Sequence, residues 1–165
     1  MSLPPFQSVL DEHRQPLWRF LVAAVGPHDA ADCFQETMIA ALRAYPSLRH
    51  ADNLRGWLFT IAHRKVIDSV RANGRRPLPV GELPERADTA AATAAAGSPW
   101  PPTEPDDELW ASVRALPVKQ RSAVVLRHLD GWSYAEIGEL LDCSEPAARQ
   151  NVKAGLDKLR QEVVA

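Results

Sequence analysis

Seven basic side chains fall between Arg49 and Arg76 (Arg49, Arg55, Arg64, Lys65, Arg71, Arg75 and Arg76) against only Asp52 and Asp68, a local net charge of +5. Positive charge at that density suits a phosphate backbone, with an affinity that falls steeply as salt rises. Trp57 and Phe59 are interleaved with it, and aromatic and basic groups together hold the unstacked bases of single strands. Trp57 lies on the apolar stripe of its segment and also reads as ordinary core, whereas Phe59 lies off the stripe and reads as available for contact. A second group is Arg149, Gln150, Asn151 and Lys153. Arg149 and Lys153 are four apart and share a helix face, with Gln150 beside them, while Ala148, Val152, Leu156 and Leu159 form the opposite, apolar face. Both groups do binding chemistry. For covalent chemistry the chain offers little: His13, His28, His50, His63 and His128 are scattered, and no glycine-rich phosphate loop, metal-ligand cluster or nucleophile beside a base is evident. No cofactor, metal or small-molecule substrate is expected.

The elements that position these groups are helical. Gly131 to Ser144 reads as a short helix, a tight turn and the start of a second helix. Ser133 caps the first helix, Glu136 completes a capping box three residues on, and Trp132 and Ile137 occupy the staple positions. Ser144 is a second N-cap ahead of Glu145 and Pro146, and the helix it opens is expected to run to about Arg160. In a helix-turn-helix the second helix enters the major groove. A plain helical hairpin with a solvated polar face is the other reading. Towards the N-terminus, Phe6, Val9, Leu10 and His13 start a helix that Pro16 interrupts or kinks, and Leu17 to Val25 continue it to Gly26-Pro27. A second helix starts near Asp29, carries the stripe Phe34, Met38, Ala41 and Leu42, and ends at Tyr45-Pro46. The third begins at Asp52 or Asn53, keeps its period through Leu54, Trp57, Leu58, Ile61, Ala62, Val66 and Val70, and meets a stop signal at Asn73-Gly74.

The net charge of −2 averages three unlike regions. Residues 1–76 carry a net +3, residues 77–108 a net −6 and residues 109–165 a net +1. Half of the 14 prolines lie between Pro77 and Pro105, together with the low-complexity run Ala87 to Ala96. So few large apolar residues among so many prolines argue for an extended acidic linker, from which Trp100 alone is suited to dock on a neighbour. The expected fold is all-α: an N-terminal helical bundle over residues 1–76, a flexible Pro/Ala-rich acidic linker over 77–105 and a helix-turn-helix domain over 106–165. Cys33 and Cys143 sit in separate helical patterns and suggest neither a disulfide framework nor a zinc site. The first residues lack a basic segment leading into an apolar core, and the longest apolar run, Phe20 to Val25, is too short to span a membrane. A cytoplasmic, reduced protein is expected.

Four motifs, in order, resemble the extracytoplasmic-function (ECF) class of bacterial RNA polymerase sigma factors. Asp32-Cys33-Phe34-Gln35-Glu36-Thr37 is similar to the Asp-Leu-Val-Gln-Glu-Thr signature of that family's second region. Trp57-Leu58-Phe59-Thr60-Ile61-Ala62 followed by Val66-Ile67-Asp68 is similar to its Trp-Leu-Tyr-x-Ile-Ala pattern ending in Ile-Asp. Leu116-Pro117-x-x-Gln120-Arg121 and Gly131-Trp132-Ser133-Tyr134-x-Glu136-Ile137 look like the entry to its fourth region. The likeness covers nearly the whole chain.

The resemblance implies a division of work. Asp32, Gln35 and Glu36, with Met38 and Leu42 as apolar contacts, would bind the coiled coil of the polymerase β′ clamp, and the fourth region would meet the β flap. The loop 47–53 and the start of the third helix correspond to the segment that captures a flipped base of the minus-ten element, a step that costs a few kcal/mol of unstacking. Arg49, Asn53, Arg55, Phe59, His63, Arg64, Lys65 and Arg71 are the implied minus-ten residues. Ser144, Arg149, Gln150, Asn151 and Lys153 are the implied readers of the minus-thirty-five element, and an anti-sigma factor is the implied regulator. The linker resembles a segment that threads near the active-site cleft. Promoter melting would then draw on binding energy without ATP. Two features depart from the family pattern. Arg64 stands where many relatives have Asn, and Asn151 and Ala154 replace two arginines, which implies a weaker minus-thirty-five grip with a salt slope flatter by nearly two units. Gly155 lowers helix propensity by about 1 kcal/mol relative to Ala. The alternative is a stand-alone helix-turn-helix regulator with an N-terminal sensor or dimerisation module, which accounts for residues 131–160 but not for the basic third helix.

Overall fold

The computed structural model describes residues 3–75 and 107–164, and every regular element among them is helical. Helix α1 spans Phe6–Val25, α2 Pro27–Ala44 and α3 Leu54–Arg75, with a 3-10 turn at Tyr45–Ser47. The second group is α4 (Asp107–Ala115), α5 (Val118–Leu129), α6 (Tyr134–Leu141) and α7 (Glu145–Val164). The expected linker 77–105, Arg76 and Trp100 lie outside the described residues.

Pro16 does not end α1, contrary to the interruption its ring suggests. Val9 before it and Leu17, Phe20 and Leu21 after it are all buried, so packing on both sides holds the helix across the missing N–H. Gly26 follows with φ +87°, a left-handed conformation suited to glycine, and its N–H closes onto Val22 O at 2.9 Å. Pro27 then opens α2 at its first turn, two residues ahead of the expected Asp29. Asn53 caps α3 by accepting from the Gly56 N–H at 2.9 Å. The helix runs on through Asn73 and Gly74 to Arg75, with the Asn73 amide donating to Asp29 on α2 at 2.9 Å.

In the C-terminal group the capping box is complete. The Glu136 N–H donates to Ser133 Oγ at 3.2 Å, and the Ser133 N–H donates to Glu136 Oε2 at 2.8 Å. Asp142 takes the left-handed conformation (φ 53°) that ends α6, and Ser144 Oγ accepts from the Ala147 N–H at 3.3 Å to start α7. That helix continues past Arg160 to Val164. Gly155 has a packing reason for its low propensity: a Cβ there would lie 2.6 Å from a Val124 methyl, so glycine lets α7 approach α5 closely.

Both groups share one hydrophobic core. Phe20 of α1, Phe59 of α3, Leu126 of α5 and Trp132 belong to the same buried cluster. Arg121, itself buried, ties α5 to the end of α1 by donating from Nη1 to Ala24 O at 2.8 Å, while its Nε and Nη2 donate to Leu116 O. That charge sits at the C-terminus of a helix that carries no basic residue in its own last turn.

Candidate nucleic-acid interface

The basic helix α3 presents its charged residues on two faces. Arg64 and Arg71 are exposed, as are Arg49 and Asn53 ahead of the helix. Lys65 reaches back to α2 and pairs with Glu36 at 3.6 Å. Arg55, Phe59 and His63, four residues apart in turn, face the C-terminal group instead. The Arg55 guanidinium carbon lies 4.2 Å from the centroid of the Trp132 ring, and Arg55 Nη2 donates to Glu136 Oε1 at 3.0 Å. Phe59 is fully buried between Phe20 (centroids 5.7 Å apart) and Trp132 (5.0 Å). His63 Nδ1 lies 3.2 Å from Ser122 Oγ, and burial, aided by the Lys119 charge, pushes the imidazole down to about 4.

The expectation that Phe59 lies free of the core is therefore corrected. The stripe through Leu58, Ala62 and Val66 packs the N-terminal bundle, and a second face at 55, 59 and 63 is covered by the other half of the chain. Phe59 is fully buried in this arrangement and His63 is buried with only 5% of its surface exposed. Trp57, by contrast, behaves as the core reading expects: half-buried, with its ring 5.9 Å from Tyr45.

On α2, Asp32, Gln35 and Glu36 are exposed and Met38 is half-buried. Leu42 is 58% exposed, and Ile39, which the sequence reading passes over, is 44% exposed. Its position three residues before Leu42 was the available signal. Two apolar side chains beside an acidic and amide face form a surface suited to a partner helix. The surface is held from behind, where Cys33 and Ala41 are buried and Thr37 Oγ1 donates to Cys33 O at 2.6 Å.

On α7, Arg149, Gln150 and Lys153 are exposed, Ser144 is exposed at the cap and Asn151 is half-buried. Arg149 pairs with Glu145 at 3.2 Å, and its guanidinium lies 4.5 Å from the Tyr134 ring centroid. Arg127 of α5 lies at the same distance from that ring and donates to Trp132 O at 2.9 Å. Cation–π contacts at exposed sites contribute roughly 0.5–1 kcal/mol each and help to orient Arg149 on the exposed face of α7. Sequence reasoning missed both this stack and the Arg55–Trp132–Glu136 cluster, because each joins residues from different elements.

The described residues form only helices, among them a basic helix and a capped helix-turn-helix, and that combination is the outline of a helical class of nucleic-acid-binding protein. Residues 9–76 match the Sigma-70 region 2 family and residues 106–159 the Sigma-70, region 4 family. The chain is 30% identical over 164 residues to RNA polymerase sigma factor CarQ of Myxococcus xanthus, covering 94% of this chain and 87% of that protein. It is also 30% identical to ECF RNA polymerase sigma factor SigE of Mycolicibacterium smegmatis, over 96% of this chain but 62% of the longer SigE. The sigma factor RpoE from Bartonella quintana, solved in complex with the anti-sigma factor NepR, has a similar fold: TM-score 0.70 and 20% identity over 97% of both chains. The chain belongs to the ECF family of RNA polymerase sigma factors.

Proposed function

We propose that this chain binds core RNA polymerase and directs promoter-specific initiation. The observation that carries this reading is that both sigma regions occur in one chain, and the contact residues proposed for them, Gln35 and Glu36 on α2 and Arg149, Gln150 and Lys153 on α7, are exposed. Asp32, Gln35, Glu36, Met38 and Leu42 form the contact for the β′ clamp coiled coil, and the C-terminal group meets the β flap. Arg49, Asn53, Arg55, Arg64, Lys65 and Arg71, with Phe59 and His63 once uncovered, engage the minus-ten strand. Ser144, Arg149, Gln150, Asn151 and Lys153 read the minus-thirty-five duplex. Residues 1–76 and 106–165 act as the two domains, with 77–105 as the linker.

The work is done by binding alone and needs no catalysis, cofactor or small-molecule substrate. The proposed setting is cytoplasmic and nucleoid-associated; no helix among the described residues is long and apolar enough to cross a membrane. An anti-sigma partner is proposed by analogy with the Bartonella quintana factor solved with NepR. No observation favours a stand-alone regulator, which leaves the α2 surface without a use.

The test is reconstitution of the purified chain with core polymerase on a promoter library. Specific initiation is expected, and Gln35→Ala with Glu36→Ala should lower core affinity at least tenfold, about 1.4 kcal/mol. A chain that never associates with core would refute the proposal.

A further inference from the structure

Among Asp32, Gln35 and Glu36, the exposed polar residues of the α2 surface, only Glu36 is tied to the basic helix α3. Its Oε2 lies 3.6 Å from Lys65 Nζ, and no other carboxylate among the described residues comes within ion-pair distance of that ammonium. The two partners differ in access: the Glu36 side chain is 60% exposed and the Lys65 side chain 28%. Glu36 is open to an incoming partner, whereas Lys65 is turned in toward α2. The helices beneath are joined at other points. Cys33 Sγ donates to Lys65 O at 3.8 Å, and the Asn73 amide donates to Asp29 at 2.9 Å. Either charged side chain can therefore change partner while α2 and α3 stay together.

We propose that Glu36 is a shared residue, neutralising Lys65 in the free chain and releasing that ammonium to a phosphate of the promoter strand when the polymerase clamp engages Glu36. This deepens the sigma reading and rests on it for both partners. A donor on the clamp and the Lys65 ammonium draw on the same single negative charge, so each weakens the hold of the other. By linkage the effect is reciprocal: a phosphate that draws Lys65 away leaves Glu36 a stronger acceptor for the clamp by the same factor. Pairs exposed to this degree contribute little, which sets the coupling at about two- to fivefold. A pair that merely fastened α3 to α2 would have the opposite signature. Losing Lys65 would then leave core affinity unchanged or lower it, whereas a shared Glu36 makes core affinity rise.

The experiment titrates the fluorescently labelled full chain with core polymerase at low ionic strength. Lys65→Gln removes the ammonium, and Lys65→Met removes it while keeping an unbranched stem. Each should bind core about threefold more tightly than the parent, and the gain should shrink as salt screens the exposed pair. In a Glu36→Gln background, removing Lys65 should bring no gain. The assembled holoenzyme then receives a labelled single-stranded DNA oligonucleotide of mixed sequence. There Lys65→Gln should weaken binding about threefold and flatten the salt slope by about 0.7, the share of one phosphate contact on a single strand. Circular dichroism identifies a variant that has lost its helices, and the other then carries the test. Core binding without a gain in a folded Lys65 variant, a gain that persists with Glu36→Gln, or single-strand binding by the holoenzyme that is indifferent to Lys65 overturns this proposal and leaves the sigma reading standing. A parent chain that does not bind core sinks the sigma reading, and this proposal with it.

Discussion

Asp130 and His63 are ionisable groups whose burial opposes their charge, in opposite senses. Burial pushes the Asp130 carboxyl up to about 6, against the pull of Arg19 and Arg55, and its Oδ2 is buried without a hydrogen-bond partner. Between the ordinary value of 3.8 and about 6 the folded chain holds a proton that the unfolded chain has released, so this group lowers stability as pH rises through that window. His63 works the other way. With its pKa moved from 6.5 to about 4, the unfolded chain binds a proton that the folded chain refuses, and stability falls as pH drops below 6.5. Over the shared interval the two slopes cancel. Single substitutions should reveal them: Asp130→Asn is expected to stabilise the chain by roughly 1–2 kcal/mol near pH 8, and the benefit should vanish on acidification. His63→Gln should instead remove the loss of stability on acidification. Urea melts at a series of pH values check both, and a parallel displacement of the Asp130→Asn and parent profiles at every pH would refute the account.

At the scale of the element, the helix-turn-helix depends on its caps because α6 is only eight residues long. Helices that short do not persist on propensity alone. Ser133→Ala breaks the serine side of the capping box and should cost about 1 kcal/mol, seen as a lower midpoint of chemical unfolding. Ser133→Asp keeps an acceptor at the same place and should recover most of the loss. The capping box and the staple residues of this element were legible in the sequence, since they depend on neighbours three to five positions away. Phe59 was misread for the complementary reason: one helix can serve two apolar faces, and periodicity describes only the stronger one. Pro16 marks the same limit, because a local signal was outweighed by packing of α1 on both sides of it.

For the whole molecule, the decisive contacts cross from one half to the other. Arg121 joins them through hydrogen bonds from one guanidinium to two carbonyls, one on α1 and one in its own half. Burial and the Arg114 charge lower its pKa, and bonds from a charged donor contribute roughly 1.5–3 kcal/mol each. Arg121→Met should therefore loosen the seam and increase the radius of gyration in solution scattering, with faster amide exchange at the end of α1. Arg121→Lys keeps the charge but not the fork and should fall between the two. Scattering curves that superimpose on those of the parent would show that Arg121 serves only its own half.

The sequence by itself determined that the chain is helical, where most helices start, which side chains carry charge, and, through four short motifs, the family. These properties follow from intervals of three or four residues and from residue type, and both survive in one dimension. Only the tertiary structure decided that the two halves share a core, that Phe59 and His63 lie in the seam, and that Arg55 is held by Trp132 and Glu136. The reason is distance along the chain: 81 residues separate Arg55 from Glu136 and 97 separate Ala24 from Arg121. No local periodicity reaches that far.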